Sequence, residues 1–184
     1  LSRKNKANQI ITILKTFTDI SKCHILDIGT GSGYIAYEIS KNCKSLVSVD
    51  VTDERIEKRG YKFIKISDEH LPFEENIFDI VISNQVIEHV QNQNLHISEI
   101  YRVLKKEGLL YLSTPNKYWI IDPHYYVPFI SWFYPSKFGG FVLKILKNKS
   151  WDTYPLSYKQ ILKLTKNKFE INNISLIAIK HPKK

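Results

Sequence analysis

Residues 24–36 read HILDIGTGSGYIA: an apolar strand carrying one aspartate, three glycines at alternate positions, and the start of a helix. A glycine-rich turn between strand and helix lets backbone approach a nucleotide-like ligand closely, because no Cβ stands in the way and positive φ is unstrained there. The same alternation continues along the chain. Ile10, Ile11, Ile13, Leu14 and Phe17 recur at helical spacing within 3–20, which predicts an opening amphipathic helix. Short apolar runs at 24–28, 45–50, 62–67, 78–83 and 109–113 read as strands. Helices are expected at 34–41 and 95–106, with a turn or two of helix in the polar link after Asp50. Apolar strands alternating with helices argue for a doubly wound α/β fold, a mostly parallel sheet covered on both faces.

After Pro115 the pattern changes. Residues 116–140, NKYWIIDPHYYVPFISWFYPSKFGG, are aromatic and have no clean period, and loops of that length in a compact domain are usually functional. Ser157 and Gln160 form a capping box for a helix bearing Ile161, Leu162 and Leu164, and 169–179 alternate as a final strand would. The whole of 1–184 reads as a single domain, with a lid or substrate insert at about 116–150.

Charge is uneven. The net charge of +9 comes from 27 basic against 18 acidic residues, and 137–168 hold eight lysines and one acid, Asp152. That segment could face an anionic partner such as RNA, although a lysine-rich chain that is also rich in Asn and Ile is what an AT-rich coding sequence produces. Cys23 and Cys43 have neither metal-ligand nor disulfide spacing, and no targeting segment opens the chain, so a cytoplasmic location is expected. No apolar run approaches the roughly 18 residues of a membrane span, which leaves peripheral membrane contact open. The chain starts at Leu1 and has no methionine, as trimming at either end would leave it.

Several ligands fail the spacing test. A dinucleotide loop needs Gly-x-Gly-x-x-Gly, whereas the glycines here are 29, 31 and 33 with Tyr34 in the third place; no Gly-Lys-Ser/Thr follows, so it is not a P-loop either. What fits is an acid ahead of the loop, Asp27, and a second at the end of the next strand, Asp50, whose paired oxygens can accept both hydroxyls of a ribose. Asp27 could instead brace the loop, and Asp50 could cap the next helix.

Asp27-Ile-Gly29-Thr-Gly31-Ser-Gly33, then Asp50, then LPFEENIFDIVISNQVIEHV at 71–90, then EIYRVLKKEGLLYLSTPN at 99–116, resemble the class I S-adenosylmethionine-dependent methyltransferases, in particular the small-molecule type that includes ubiquinone-biosynthesis enzymes. The resemblance runs from about residue 23 to 116. It implies a Rossmann-like, mostly parallel sheet of seven strands, here lacking an edge strand at the C-terminus, with S-adenosylmethionine across the strand ends and S-adenosylhomocysteine as product. It also implies that Gly29, Thr30 and Gly31 lie beside the methionine moiety. Asp27 would reach its amino group directly or through water, and Asp50 would hold the ribose. Asp68 would take the adenine amino group, one residue from the family's usual place, and Asn84 and Gln85 would line the pocket near the transferable methyl. Asp68 could equally be a solvated turn acid, and Asn84 could satisfy strand-end backbone.

Methyl transfer from a sulfonium needs alignment above all, worth about 7–11 kcal/mol of barrier. No metal is expected. A hydroxyl acceptor adds the need for a general base, for which His89 and His124 are the candidates, each of which could be purely structural; Glu88 is weaker. Base N-methylation of the Asn/Asp-Pro-Pro-Tyr type is disfavoured by Ser83-Asn84-Gln85-Val86, and cytosine C5 methylation by the lack of a Pro-Cys pair. The aromatic insert reads as a hydrophobic lid for a planar or lipid-like acceptor, or as packing on the sheet edge. The leading expectation is a methyltransferase for a small or amphipathic acceptor, O-methylation favoured. An RNA methyltransferase and a non-catalytic binding module are the alternatives.

Overall fold

The computed structural model describes residues 2–173. Helix α1 (Arg3–Leu14) begins where Ser2 Oγ accepts from the Asn5 amide and buries Ala7, Ile10, Ile11 and Leu14. Strand β1 (His24–Ile28) leads through the glycine loop into α2 (Tyr34–Ser40), and β2 (Ser45–Asp50), β3 (Lys62–Lys65) and β4 (Phe78–Asn84) follow. Helix α3 (Gln93–Val103) runs without a loop into β5 (Leu104–Ser113); α4 (Lys137–Lys147) and α5 (Tyr158–Thr165) complete the described chain.

The five strands are all parallel, in the order β3-β2-β1-β4-β5. Because side chains alternate across a strand, each face collects its own core. Ile25, Ile80 and Ile82 pack with α1 and α2 on one face, and Leu26, Ile28, Val49 and Val81 pack with Ile100 and Val103 of α3 on the other. A register shift between Phe78 and Ile80 puts Phe78 with the second group. The chain builds outward from β1 to β3 and then returns to place β4 on the other side of β1. The strand order therefore reverses between β1 and β4, and in open α/β sheets ligands bind in the crevice beyond the strand ends at such a point.

Three expectations need correction. Among the described residues the sheet has five strands, not seven: after β5 the chain turns to the aromatic segment and two helices, 169–173 are irregular, and the rest of the expected last strand lies outside the described residues. The link after Asp50 contains no helix, because the amides of Ile56 and Glu57 donate to Ser32 O (both 3.0 Å) instead of to carbonyls of their own segment. Helix α3 stops at Val103, not 106, because Leu104 is already paired with Phe78 and buried.

The 116–150 segment is more ordered than its sequence suggests. Tyr125, Val127, Ile130 and Leu143 make a small core with Val142 and Trp151. Asp122 ties it together, accepting from the amides of His124 (2.8 Å) and Tyr125 (2.9 Å) and from the Ser131 hydroxyl. Helix α4 was not legible, since Gly139 and Gly140 sit in its first turn. Ser136 caps it by accepting from the Gly139 amide at 3.1 Å, and a Cβ on Gly139 would stand 2.8 Å from the Trp151 ring. The capping box of α5 is present as expected, Gln160 Oε1 accepting from the Ser157 amide at 2.9 Å.

Candidate functional site

The glycine loop leaves β1 at the switch point and is held from both sides. Gly33 has φ +82° and its amide closes a turn onto Thr30 O at 3.0 Å; a Cβ there would meet Glu57 O at 2.0 Å, so the 51–61 link packs directly on the loop. Gly31, at φ +50°, has open space where a Cβ would be. Its amide donates to Asp50 Oδ2 at 2.9 Å, and Thr52 N reaches Asp50 Oδ1 at 3.3 Å. Asp50 is thus oriented beside the open part of the loop, at the end of β2, as a ribose-holding acid would have to be.

Asp27 and Thr30 lie deeper, both buried, and meet at a residue the sequence reading missed. Ser48 Oγ donates to Asp27 Oδ2 at 2.7 Å and stands 2.5 Å from Thr30 Oγ1. One hydroxyl has one proton, so with Ser48 donating to Asp27, Thr30 donates to Ser48. A serine inside the apolar run SLVSVD was the available signal. Burial, opposed by the Ser48 hydrogen bond and reinforced by the Asp50 charge, pushes the Asp27 carboxyl up to about 7. A cationic ammonium placed beside it would favour its ionised form.

On the other side of the switch point, Asn84 ends β4 with a buried Oδ1 that has no hydrogen-bond partner among the described residues. Gln85 follows at φ +60°, its amide donating to Ser113 O at 2.7 Å. Val86 then packs on Gly29, where an added Cβ would stand 2.4 Å from Val86 Cγ2. The open space at Gly31, the oriented carboxylate of Asp50 and the orphaned Asn84 oxygen suit a ligand rich in hydroxyls and amines. Asp68 is less well placed: it is exposed, and its oxygens accept from His70 N (2.8 Å) and Ser67 Oγ (3.3 Å) of its own turn.

The 3-10 turn Ile87–His89 brings a second group together. Glu88 is 1% exposed; its Oε2 accepts from Thr114 Oγ1 at 2.8 Å, and its Oε1 has no partner among the described residues. His89 meets His124 edge-on, ring centroids 5.1 Å apart. Ligating atoms of Glu88, His89 and His124 all lie within 4.8 Å of one another, a donor set able to hold a metal ion. No sequence spacing shows this trio, because His124 comes from the aromatic insert. The Asp122 carboxylate beside it raises the His124 pKa, while burial would raise that of Asp122 but is overcome by hydrogen bonds from His124 and Ser131 that hold it at about 2. His124 Nδ1 stands 3.7 Å from Asp122 Oδ1, so Nε2 is the nitrogen left to take a proton.

Residues 26–112 match the family described as methyltransferase domain. That segment is a methyltransferase domain of the class I S-adenosylmethionine-dependent type. That family implies S-adenosylmethionine as cofactor and S-adenosylhomocysteine as product. The methyltransferase domain is 31% identical over 114 residues to the ubiquinone biosynthesis O-methyltransferase of Rickettsia prowazekii, covering 57% of this chain and 45% of that one. It is 31% identical over 124 residues to the mitochondrial enzyme of the same name from Rattus norvegicus, covering 57% and 36%. The chain thus spans less than half the length of these curated relatives. Among solved structures, the S-adenosylmethionine-dependent methyltransferase from Mesorhizobium loti superposes with a TM-score of 0.66 at 10% identity, over 90% of this chain and 82% of that one. One from Methanosarcina mazei gives 0.59 at 19% identity, over 84% and 82%. At those identities the likeness speaks for the fold.

Proposed function

We propose that this chain transfers a methyl group from S-adenosylmethionine to a small or amphipathic acceptor, a hydroxyl oxygen being favoured. The observation that carries the reading is the trio Glu88, His89 and His124, gathered directly after the β4 turn that packs on the glycine loop. When bound, the cofactor supplies a methyl already activated on a sulfonium. The chain's own residues then have two tasks. Asp50 holds the ribose end, and the loop around Gly31, with Asp27, holds the amino-acid end, so that the methyl is presented in a fixed direction. His124 Nε2, or the His89 ring, accepts the proton of an acceptor hydroxyl. The 116–150 segment covers the acceptor, since it is the segment that delivers His124.

The experiment is a screen with methyl-labelled cofactor against hydroxyl and amine acceptors, with and without lipid tails, and against RNA. Label on a hydroxyl supports the reading; transfer to RNA alone moves the function to the lysine-rich 137–168 segment. Replacing His124 by Gln is expected to slow transfer about 10²- to 10⁴-fold with S-adenosylhomocysteine affinity unchanged. Because Asp122 raises the His124 pKa, the free base fills only above the usual 6.5, so the wild-type rate should climb with pH above that value. A flat profile across that range would remove His124 as the base.

Asp27 makes a separate prediction. Its carboxyl, near 7 without ligand, must ionise to pair with the cofactor's ammonium, so affinity for S-adenosylhomocysteine should increase as pH rises through about 7. Calorimetry at several pH values reads this, and Asp27→Asn should flatten it. Equal affinity at every pH in the wild type would place Asp27 away from the ammonium.

A further inference from the structure

Helix α4 turns its apolar side outward. Phe138, Phe141, Val142, Ile145 and Leu146 follow the i, i+3, i+4, i+7, i+8 spacing of one helix face. Normally such a face is buried, but here Phe138, Phe141, Ile145 and Leu146 are 58–65% exposed, and the helix buries Gly139 and Leu143 instead. The cause is Gly139, whose lack of a side chain lets the helix lie close on Trp151. The patch continues beyond the helix. Phe138 meets Phe133 with centroids 5.5 Å apart, and the half-exposed Trp132 next to it meets Tyr118 at 6.1 Å. A continuous exposed apolar surface of this kind marks an interaction site.

Its rim says with what. Lys137, Lys144, Lys147 and Lys149 border it, all exposed, and no acid occurs between Asp122 and Asp152. A second copy docking on the same face would set these lysines against one another with no carboxylate of the segment to pair them. An anionic lipid surface meets both features at once: aromatic and aliphatic side chains enter the headgroup boundary while lysines face the phosphates. At 11 residues α4 is about 16 Å long, half of what would cross the hydrocarbon core, so it would lie along the surface.

We propose that the exposed face of α4, with Trp132 and Phe133, seats this domain on an anionic membrane. The segment that touches lipid is then the one that carries His124 to the candidate site, which gives a lipid-tailed acceptor a route to it without passing through water. The surface itself rests on exposure and charge and stands apart from the acceptor proposed above.

Co-sedimentation of the full chain with vesicles tests it, using phosphatidylcholine alone and a three-to-one mixture with phosphatidylglycerol. Capture by the mixture and not by phosphatidylcholine alone is expected, weakening with salt. The triple variant Phe138→Ser, Phe141→Ser, Ile145→Ser should bind at least about tenfold more weakly, and each Lys→Gln change on the rim about fivefold more weakly. S-adenosylhomocysteine affinity, measured in parallel, should be unchanged in every variant, since none of these residues touches the loop. Absence of capture for protein that still binds S-adenosylhomocysteine overturns the proposal. So does self-association that the triple variant abolishes without any vesicle binding, or capture that the triple variant retains in full. Loss of cofactor affinity in the wild type would instead count against the methyltransferase reading and leave the vesicle result legible.

Discussion

Replacing Gly33 by alanine is expected to lower the unfolding free energy by about 2–5 kcal/mol, most of it from backbone. At φ +82° an L-residue already loses about 1–2 kcal/mol. The added Cβ would also stand 2.0 Å from the carbonyl oxygen of Glu57 and 2.3 Å from the Tyr61 hydroxyl. The tyrosine can rotate, but the carbonyl belongs to a link whose amides at 56 and 57 are bonded to Ser32 O, so the link must be displaced as a unit. Thermal unfolding of the two proteins measures this, with a fall in Tm of several degrees or more. Gly31→Ala is the informative companion. Its φ of +50° is mildly unfavourable and no atom of the described residues lies within 4 Å of the new Cβ, so stability should fall by only about 1 kcal/mol. The methyl would enter the open space that the proposed function gives to the cofactor, however, and on that reading S-adenosylhomocysteine affinity should drop sharply. If Gly31→Ala binds as the wild type does, the cofactor does not approach the loop at that point.

Asp50→Ala is expected to weaken S-adenosylhomocysteine binding roughly 100-fold or more, from the loss of charge-assisted hydrogen bonds worth about 1.5–3 kcal/mol each. The fold should survive, because Asp50 is half-buried and, among the described residues, its carboxylate bonds to the Gly31 and Thr52 amides, while its backbone bonds to β3 are untouched by the substitution. Calorimetric titration alongside a melting curve separates the two effects. An unchanged affinity would take Asp50 out of the site. A protein that no longer melts cooperatively would show that the carboxylate is chiefly the brace of the loop.

How legible all this was in the sequence depended on how local the cause is. The strands at 24–28, 45–50 and 78–83 were readable because both faces of each are buried, which leaves continuous apolar runs, and the α5 capping box because it is a contact over three residues. Asp50 was readable from its position at a strand end. Its orientation was not, since the Gly31 amide that holds it lies 19 residues away. Ser48 was overlooked because only the β1–β2 register, which sets Asp27 opposite Ser48, explains it. The helix expected in 51–61 failed for the same reason, its amides being drawn to a distant carbonyl.

By itself the sequence determined an α/β domain with a parallel sheet, a glycine loop unsuited to NAD or to a P-loop, and the acid beside it, because hydrophobic period, glycine placement and strand ends are properties of neighbouring residues. Only the tertiary structure decided which polar groups meet. It joined Glu88 and His89 to a histidine 35 positions further on, wired Thr30 through Ser48 to Asp27, and turned the apolar side of α4 outward. Those outcomes depend on strand order and on one close helix contact at Gly139, and such long-range packing leaves no period in the chain.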